Sequence, residues 1–204
     1  MERVISFIDG FNMYHSLLDA GLNGCKWLNY FDLSKAFCKK SQELVGVYYF
    51  SALAPWDTDK SDRHKIYIRA LRFAGIEVVL GKFKTVTRNC RSCRQQFKTF
   101  EEKETDVNIA VHMVKLAMLD SFDTALLFSG DSDMLPAIKT VKSVSPHKNI
   151  HVVVPYGRSA VDLKNHCDES SKIKLHHLQR NQFPDPIVVD AGKGITISKP
   201  SGWV

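Results

Sequence analysis

The sequence predicts an α/β fold: a mostly parallel central sheet sandwiched by helices, with a basic hairpin projecting from it. Three observations carry this. Residues 4–8, 125–128 and 150–154 are short, nearly unbroken apolar runs, the pattern of strands buried on both faces. Segments of helical spacing alternate with them, as a sheet covered on both sides requires. Two of the runs stop at small or acidic residues, Asp9-Gly10 and Ser129-Gly130-Asp131, and strand exits are where open sheets of this kind place their ligands.

The first strand, residues 4–8, is closed by Asp9-Gly10-Phe11-Asn12 and followed by a short helix over 13–20. A lone aspartate after a strand is commonly only a helix cap, so Asp9 gains meaning from what joins it. Residues 28–40 take helical spacing after Asp32, and 44–52 form a second apolar strand ending near Pro55. Residues 56–62 read as a polar loop before a helix over 63–73, where Ile66, Ile68, Leu71 and Phe73 suit packing and Lys65, Arg69 and Arg72 stay wet. Gly75 ends that helix, and 76–80 form a third strand.

Between Glu77 and Glu101 no acid interrupts the chain, and Lys82, Lys84, Arg88, Arg91, Arg94 and Lys98 are interleaved with Phe83, Phe97 and Cys90-Arg91-Ser92-Cys93. This predicts a hairpin, about 81–100, with both cysteines at its tip. Residues 101–106 then open a helix whose packing face is expected to be Val107, Ala110, Val111, Val114, Ala117 and Met118. Asp106 lies in its first turn, where the macrodipole favours an ionised carboxylate. After the strand 125–128, Pro136 sets the next helix start near Ser132 or Asp133, since proline is tolerated only in a first turn. The strand 150–154, a short helix over 160–167 and a last strand over 173–175 complete the order. In the tail, 187–189 and 195–197 flank Gly192-Lys193-Gly194 as a hairpin.

With 44% apolar and 25% charged residues in 204, the chain can bury one sizeable core. The expected division is one unit over 1–180 and a C-terminal tail over 181–204. A formal net charge of +6 suits a polyanionic partner without demanding one. Five cysteines, an odd number, and no long apolar span point to a reducing cytoplasm and away from a membrane. A homodimer is left open by the sequence.

In a parallel sheet all strands exit on one edge, so Asp9, Asp131 and Asp133 are expected to converge, with Asp106 joining them from a helix start. Crowded carboxylates repel and are pushed toward protonation. A divalent cation relieves this, and hard oxygen ligands without His or Cys suit Mg²⁺ or Mn²⁺. The chemistry that follows is metal-assisted hydrolysis of a phosphodiester. Asn12 reads equally well as a donor toward substrate phosphate or as an amide satisfying its own turn. A phosphohydrolase with an aspartate nucleophile is disfavoured, because Gly-Phe-Asn follows Asp9 with no second Asp two residues on.

Three motifs in order, Phe7-Ile8-Asp9-Gly10-Phe11-Asn12, Glu102-Lys103-Glu104-Thr105-Asp106-Val107-Asn108 and Ser129-Gly130-Asp131-Ser132-Asp133-Met134, resemble the NYN domain, LabA-like branch, of the PIN-like nuclease superfamily. The likeness covers about residues 3 to 177. It implies a PIN-like fold, an acidic pocket for Mg²⁺ or Mn²⁺, and RNA as the substrate class of a metal-dependent endoribonuclease. By the same resemblance Asp9, Asp106, Asp131 and Asp133 are the metal-binding catalytic acids and Asn12 the accompanying polar residue. Met134 stands where an aromatic is more common, and His112 where many relatives carry an acid. The second functional class is an RNA-binding or regulatory protein that keeps the pocket with little or no turnover.

Cys90 and Cys93 have the spacing of half a zinc site, and no second pair or close His follows before His112. Three readings stand: a metal-free structural knuckle, zinc completed by distant residues or a second subunit, and a redox switch. The hairpin reads as an RNA arm, with Lys82, Lys84, Arg88, Arg91, Arg94 and Lys98 on phosphates, Lys103 nearby, and Phe83 or Phe97 stacking a base. Its alternative is a solvated edge whose lysines deter strand pairing.

Overall fold

A computed structural model describes residues 1–203; Val204, the end of the expected tail, lies outside the described residues. The chain runs β1 (Glu2–Asp9), α1 (Gly10–Asp19), a 3₁₀ turn (Asn23–Lys26), α2 (Tyr30–Lys35), β2 (Gln42–Ser51), α3 (Thr58–Phe73) and β3 (Glu77–Leu80). The hairpin β4 (Lys82–Asn89) and β5 (Gln96–Lys103) leads into α4 (Thr105–Met118), then β6 (Thr124–Phe128), a 3₁₀ turn (Ser132–Met134), α5 (Leu135–Val144) and β7 (Asn149–Val154). Next come α6 (Val161–Lys164), β8 (Glu169–Lys172), α7 (Leu175–Arg180) and a second hairpin, β9 (Ile187–Asp190) with β10 (Ile195–Ile197).

The six-stranded sheet has the order β3-β2-β1-β6-β7-β8, and every neighbouring pair is parallel. The chain winds outward from β1 to β3, then returns to the other side of β1 with β6, so the switch point lies between β1 and β6. Register pairs Ile8 with Phe128. The next residues of the two strands, Asp9 and Ser129, therefore leave the sheet side by side.

Alternating side chains feed two cores. Val4 and Ile8 of β1 join Leu126 and Phe128 on one face, under α1, α2 and α3. Ile5 and Phe7 join Ala125, Leu127 and Val152 on the other, under α4 and α5. Each such buried Val, Leu, Ile or Phe side chain contributes about 1.5–3 kcal/mol. The residues expected to form a C-terminal tail add to the first core: Phe183, Ile187 and Ile197 are buried in it. The Phe183 N–H donates to the Trp27 carbonyl at 2.9 Å.

Several local expectations need correction. The packing row of α4 is Ile109, Met113 and Ala117, at 0%, 0% and 2% exposure, whereas Val107, Val111 and Met118 are 64%, 55% and 68% exposed. Both rows have helical spacing, and the position of Phe7 and Phe50 under the helix selects the first. The stretch 101–103 is the end of β5, not a helix start, because it pairs with β4 through Glu102↔Phe83 and Lys103↔Lys82. Helix α3 begins at Thr58, inside the expected loop, because Asp57 caps it by accepting the Lys60 N–H. The last strand of the sheet is Glu169–Lys172, not 173–175; Leu175 opens a helix instead.

Candidate metal centre and its surroundings

Asp9 is the N-cap of α1 and is 3% exposed. Its Oδ1 accepts the Asn12 N–H at 2.9 Å, and its Oδ2 accepts the Ser129 hydroxyl at 2.8 Å. Gly10 permits this turn: a Cβ there would lie 2.5 Å from the Phe50 carbonyl oxygen and 2.7 Å from the Tyr49 ring. Burial pushes the Asp9 carboxyl up to about 6, against the two hydrogen bonds and with the charges of Asp106 and Asp131 adding to it.

The second turn is tied to the first. Ser129 Oγ accepts the Asp131 N–H at 3.1 Å, and Asn12 Oδ1 accepts the Gly130 N–H at 3.0 Å. Asp131 in turn accepts the Asp133 N–H at 3.0 Å, capping the 3₁₀ turn that leads into α5. Asn12 thus uses its oxygen to hold the β6 exit, which leaves its Nδ2 as the group able to donate outward.

Asp106 arrives from the first turn of α4. That turn is held by Glu102, which accepts the Thr105 N–H at 3.0 Å and the Thr105 hydroxyl. Burial raises the Asp106 carboxyl, and the charges of Asp131, Glu102 and Asp133 raise it further. Asp106, Asp131 and Asp133 each offer one carboxylate oxygen, all within 4.8 Å of one another. No lysine or arginine forms an ion pair with any of the three among the described residues. The fold brings these three together and leaves the buried Asp9 outside that group, joined to it through Ser129. Uncompensated, hard and close, the three oxygens could hold a hard divalent cation.

The basic hairpin meets this rim at its base, where Glu102 of β5 holds the Thr105 turn and Phe83 of β4 packs on Phe11. Three of its expected RNA-contacting cations already have acidic partners: Lys82 pairs with Glu104, Arg88 with Glu101, and Lys103 with Glu101 at 3.1 Å. Lys84, Arg91, Arg94 and Lys98 have none among the described residues. Phe83 faces inward, edge-on to Trp56 and Phe11, while Trp56 stacks on Phe100 at 3.8 Å between ring centroids. These contacts anchor the hairpin, and the half-exposed Phe97 is the aromatic left facing outward. At the tip the Cys90 sulfur accepts the backbone N–H groups of Cys93 and Ser92, which lower its pKa. All five cysteines are free thiols. Among the described residues the Asp106, Asp131 and Asp133 group is the one cluster of three or more such donors, so Cys90 and Cys93 have no third ligand there.

Two residues that hold the rim together, Ser129 and Glu102, were not singled out from sequence although both lie inside the quoted motifs. Their hydroxyl and carboxylate types were the available signal. A third feature left no sequence signal: a cavity behind α1 in which Lys26, Lys60 and Arg63 meet several aromatic rings.

Comparison with known proteins bears directly on this arrangement. The NYN domain model matches residues 3–174. The chain is 25% identical over 191 residues to the Low amplitude and bright protein LabA of Synechococcus elongatus, covering 92% of this chain and 93% of that one. It is 24% identical over 244 residues to 6-hydroxy-3-succinoylpyridine 3-monooxygenase HspA of Pseudomonas putida, covering 98% of this chain and 75% of that protein. A crystal structure of VPA0982, a protein of unknown function from Vibrio parahaemolyticus, matches with a TM-score of 0.58 at 19% identity over 85% of this chain and 94% of that one. That likeness concerns the fold alone. The family match spans most of the chain and all three acid-bearing motifs: this protein belongs to the NYN domain family, within the PIN-like nuclease superfamily.

Proposed function

We propose that the protein is a metal-dependent endoribonuclease acting on RNA phosphodiesters. The observation that carries this reading is the trio Asp106, Asp131 and Asp133, three carboxylate oxygens within 4.8 Å at the switch point of a parallel sheet, with no cation paired to them among the described residues. These three would hold Mg²⁺ or Mn²⁺, which when bound supplies Lewis acidity and a lowered water pKa for phosphodiester hydrolysis.

The rest of the site is preparation by the chain itself. Asp9 fixes Ser129 and Ser129 fixes the Asp131 backbone, so the rim acid is positioned by a buried partner. Asn12 locks the Gly130 turn through its Oδ1, and its Nδ2 would be the group that donates to a substrate phosphate. Lys84, Arg91, Arg94 and Lys98 offer the uncompensated charge of the hairpin to the RNA backbone. Zinc at Cys90 and Cys93 would need two ligands from outside the described chain, and metal analysis of wild type beside Cys93→Ser tests it. Among the described residues no helix is long and apolar enough to cross a membrane, and a cytoplasmic setting, where RNA is present, fits this reading.

The test incubates purified protein with structured and single-stranded RNA in Mg²⁺, Mn²⁺ or EDTA, beside Asp131→Asn. Cleavage by wild type that is lost in EDTA and in the variant is the expected result. Cleavage that persists in either belongs to a contaminant, and RNA bound but left intact in both metals assigns the protein to binding without turnover.

A further inference from the structure

Behind α1, on the face of the sheet away from α4, lies a cavity of about 680 Å³, within the size range of small-molecule sites. Its floor is polar and aromatic: Tyr49 and Tyr30 are buried, and Ser51 lies 3.5 Å from His64 Nε2. Its walls are rings, among them Tyr14, Trp56, Phe83 and Trp203. At its edge three cations crowd together. The Lys26 and Lys60 ammonium groups both lie over the Tyr14 ring, 4.9 and 5.4 Å from its centroid. Neither they nor Arg63 has a carboxylate within ion-pair distance among the described residues. The crowding is felt: burial lowers the Lys26 pKa, and the charges of Lys60 and Arg63 lower it further.

Crowded cations without a counter-ion, set against aromatic walls, call for a ligand that is flat at one end and anionic at the other. We propose that this cavity binds one nucleotide, its base between the rings and a phosphate against Lys26, Lys60 and Arg63. Two features favour a nucleotide over a smaller aromatic acid. The volume exceeds what a single substituted ring fills, and three cations are more than one carboxylate needs. The cavity also shares a wall with the acid rim: Gly10 and Phe11, directly after Asp9, line it, as does Glu102, whose charge acts on Asp106. The inference therefore rests on and deepens the ribonuclease reading, because a nucleotide seated here directs its neighbouring phosphodiester toward the acids.

The experiment measures binding of AMP, GMP, CMP and UMP, of the matching nucleosides, and of nicotinate by calorimetry and tryptophan fluorescence in EDTA. Without divalent metal this readout is independent of cleavage. At least one nucleotide is expected to bind about tenfold or more tighter than its nucleoside, and Lys60→Ala/Arg63→Ala to remove that advantage. Lys60→Glu, at an exposed position, carries the test if the double variant melts early. Displacement of the mononucleotide by a short RNA makes the cavity an RNA subsite, and failure of RNA to displace it makes it a site for free nucleotides; either supports the proposal. Binding of nicotinate but no nucleotide, no binding at all, or affinities unchanged in both variants would overturn it, whatever the cleavage assay gives. Loss of cleavage alone would fall on the ribonuclease reading instead.

Discussion

Asp9 and Asp131 both follow an apolar strand at the same edge of the same sheet, yet the structure gives them opposite environments. Asp9 is almost wholly buried and spends both oxygens on protein donors. Asp131 lies in the rim with Asp106 and Asp133, where one oxygen of each faces a common point. The difference teaches that adjacency at a strand exit does not make acids equivalent: one serves as the foundation that orients the other. Four measurements can break or sharpen this contrast.

The largest effect is expected from the rim. Asp131→Asn removes one of three converging charges and should lower RNA cleavage by more than the roughly 10–100-fold that loss of a supporting residue costs. Initial rates in Mn²⁺ measure it. An unimpaired variant would show that the trio is not the centre of the chemistry.

Next comes the ionisation of Asp9. Its folded pKa, about 6, lies above the roughly 4 of an unfolded aspartate, so the folded state holds the proton more tightly. The resulting stability is fully present below about pH 4 and is lost as pH rises toward 6, on the order of 2–3 kcal/mol. Asp106, raised by burial and its neighbours, acts in the same direction. Asp123 opposes them at lower pH: its hydrogen bonds to Arg3 hold it down at about 2, so its contribution is lost as pH falls from about 4 toward 2. Denaturant unfolding in EDTA should show Asp9→Asn without the larger part of the decline between about pH 4 and 6. A wild-type slope retained in full would refute the assignment of that proton.

A smaller loss is expected from Ser129→Ala, which cuts the link between the two acids while leaving every charge in place. Cleavage should fall by about 10–100-fold, less than in Asp131→Asn, and the midpoint of Mn²⁺ activation should move upward. If only protein stability changes, Ser129 is packing and nothing more. The smallest effect belongs to the hairpin. Arg91→Glu/Arg94→Glu/Lys98→Glu should weaken RNA binding by roughly tenfold at low salt and less at high salt, with the cleavage rate at saturating RNA retained. Lys82→Glu should matter less still, since Glu104 already compensates that charge.

Much of this was readable in the chain. The double burial of β1, β6 and β7 shows as uninterrupted apolar runs, and strand exits are marked by Asp9-Gly10 and Gly130-Asp131. Those local patterns predict a parallel sheet and the edge where its acids gather. The reading failed where two local answers were equally good. Helix α4 carries apolar rows on more than one side, and spacing cannot say which one meets Phe7 and Phe50. The basic hairpin looked free of acids because Glu101 and Glu104 come later in sequence; antiparallel pairing brings them back onto Lys82 and Arg88.

Residue order alone was enough to mark the central strands, the sheet class and the acids at its exits, because burial and periodicity are properties of short segments. The burial of Asp9 outside the trio, the neutralised hairpin base and the cavity shared by Lys26, Lys60 and Arg63 arise from contacts between segments far apart in the chain. Charge and desolvation depend on distance in space, and folding sets those distances.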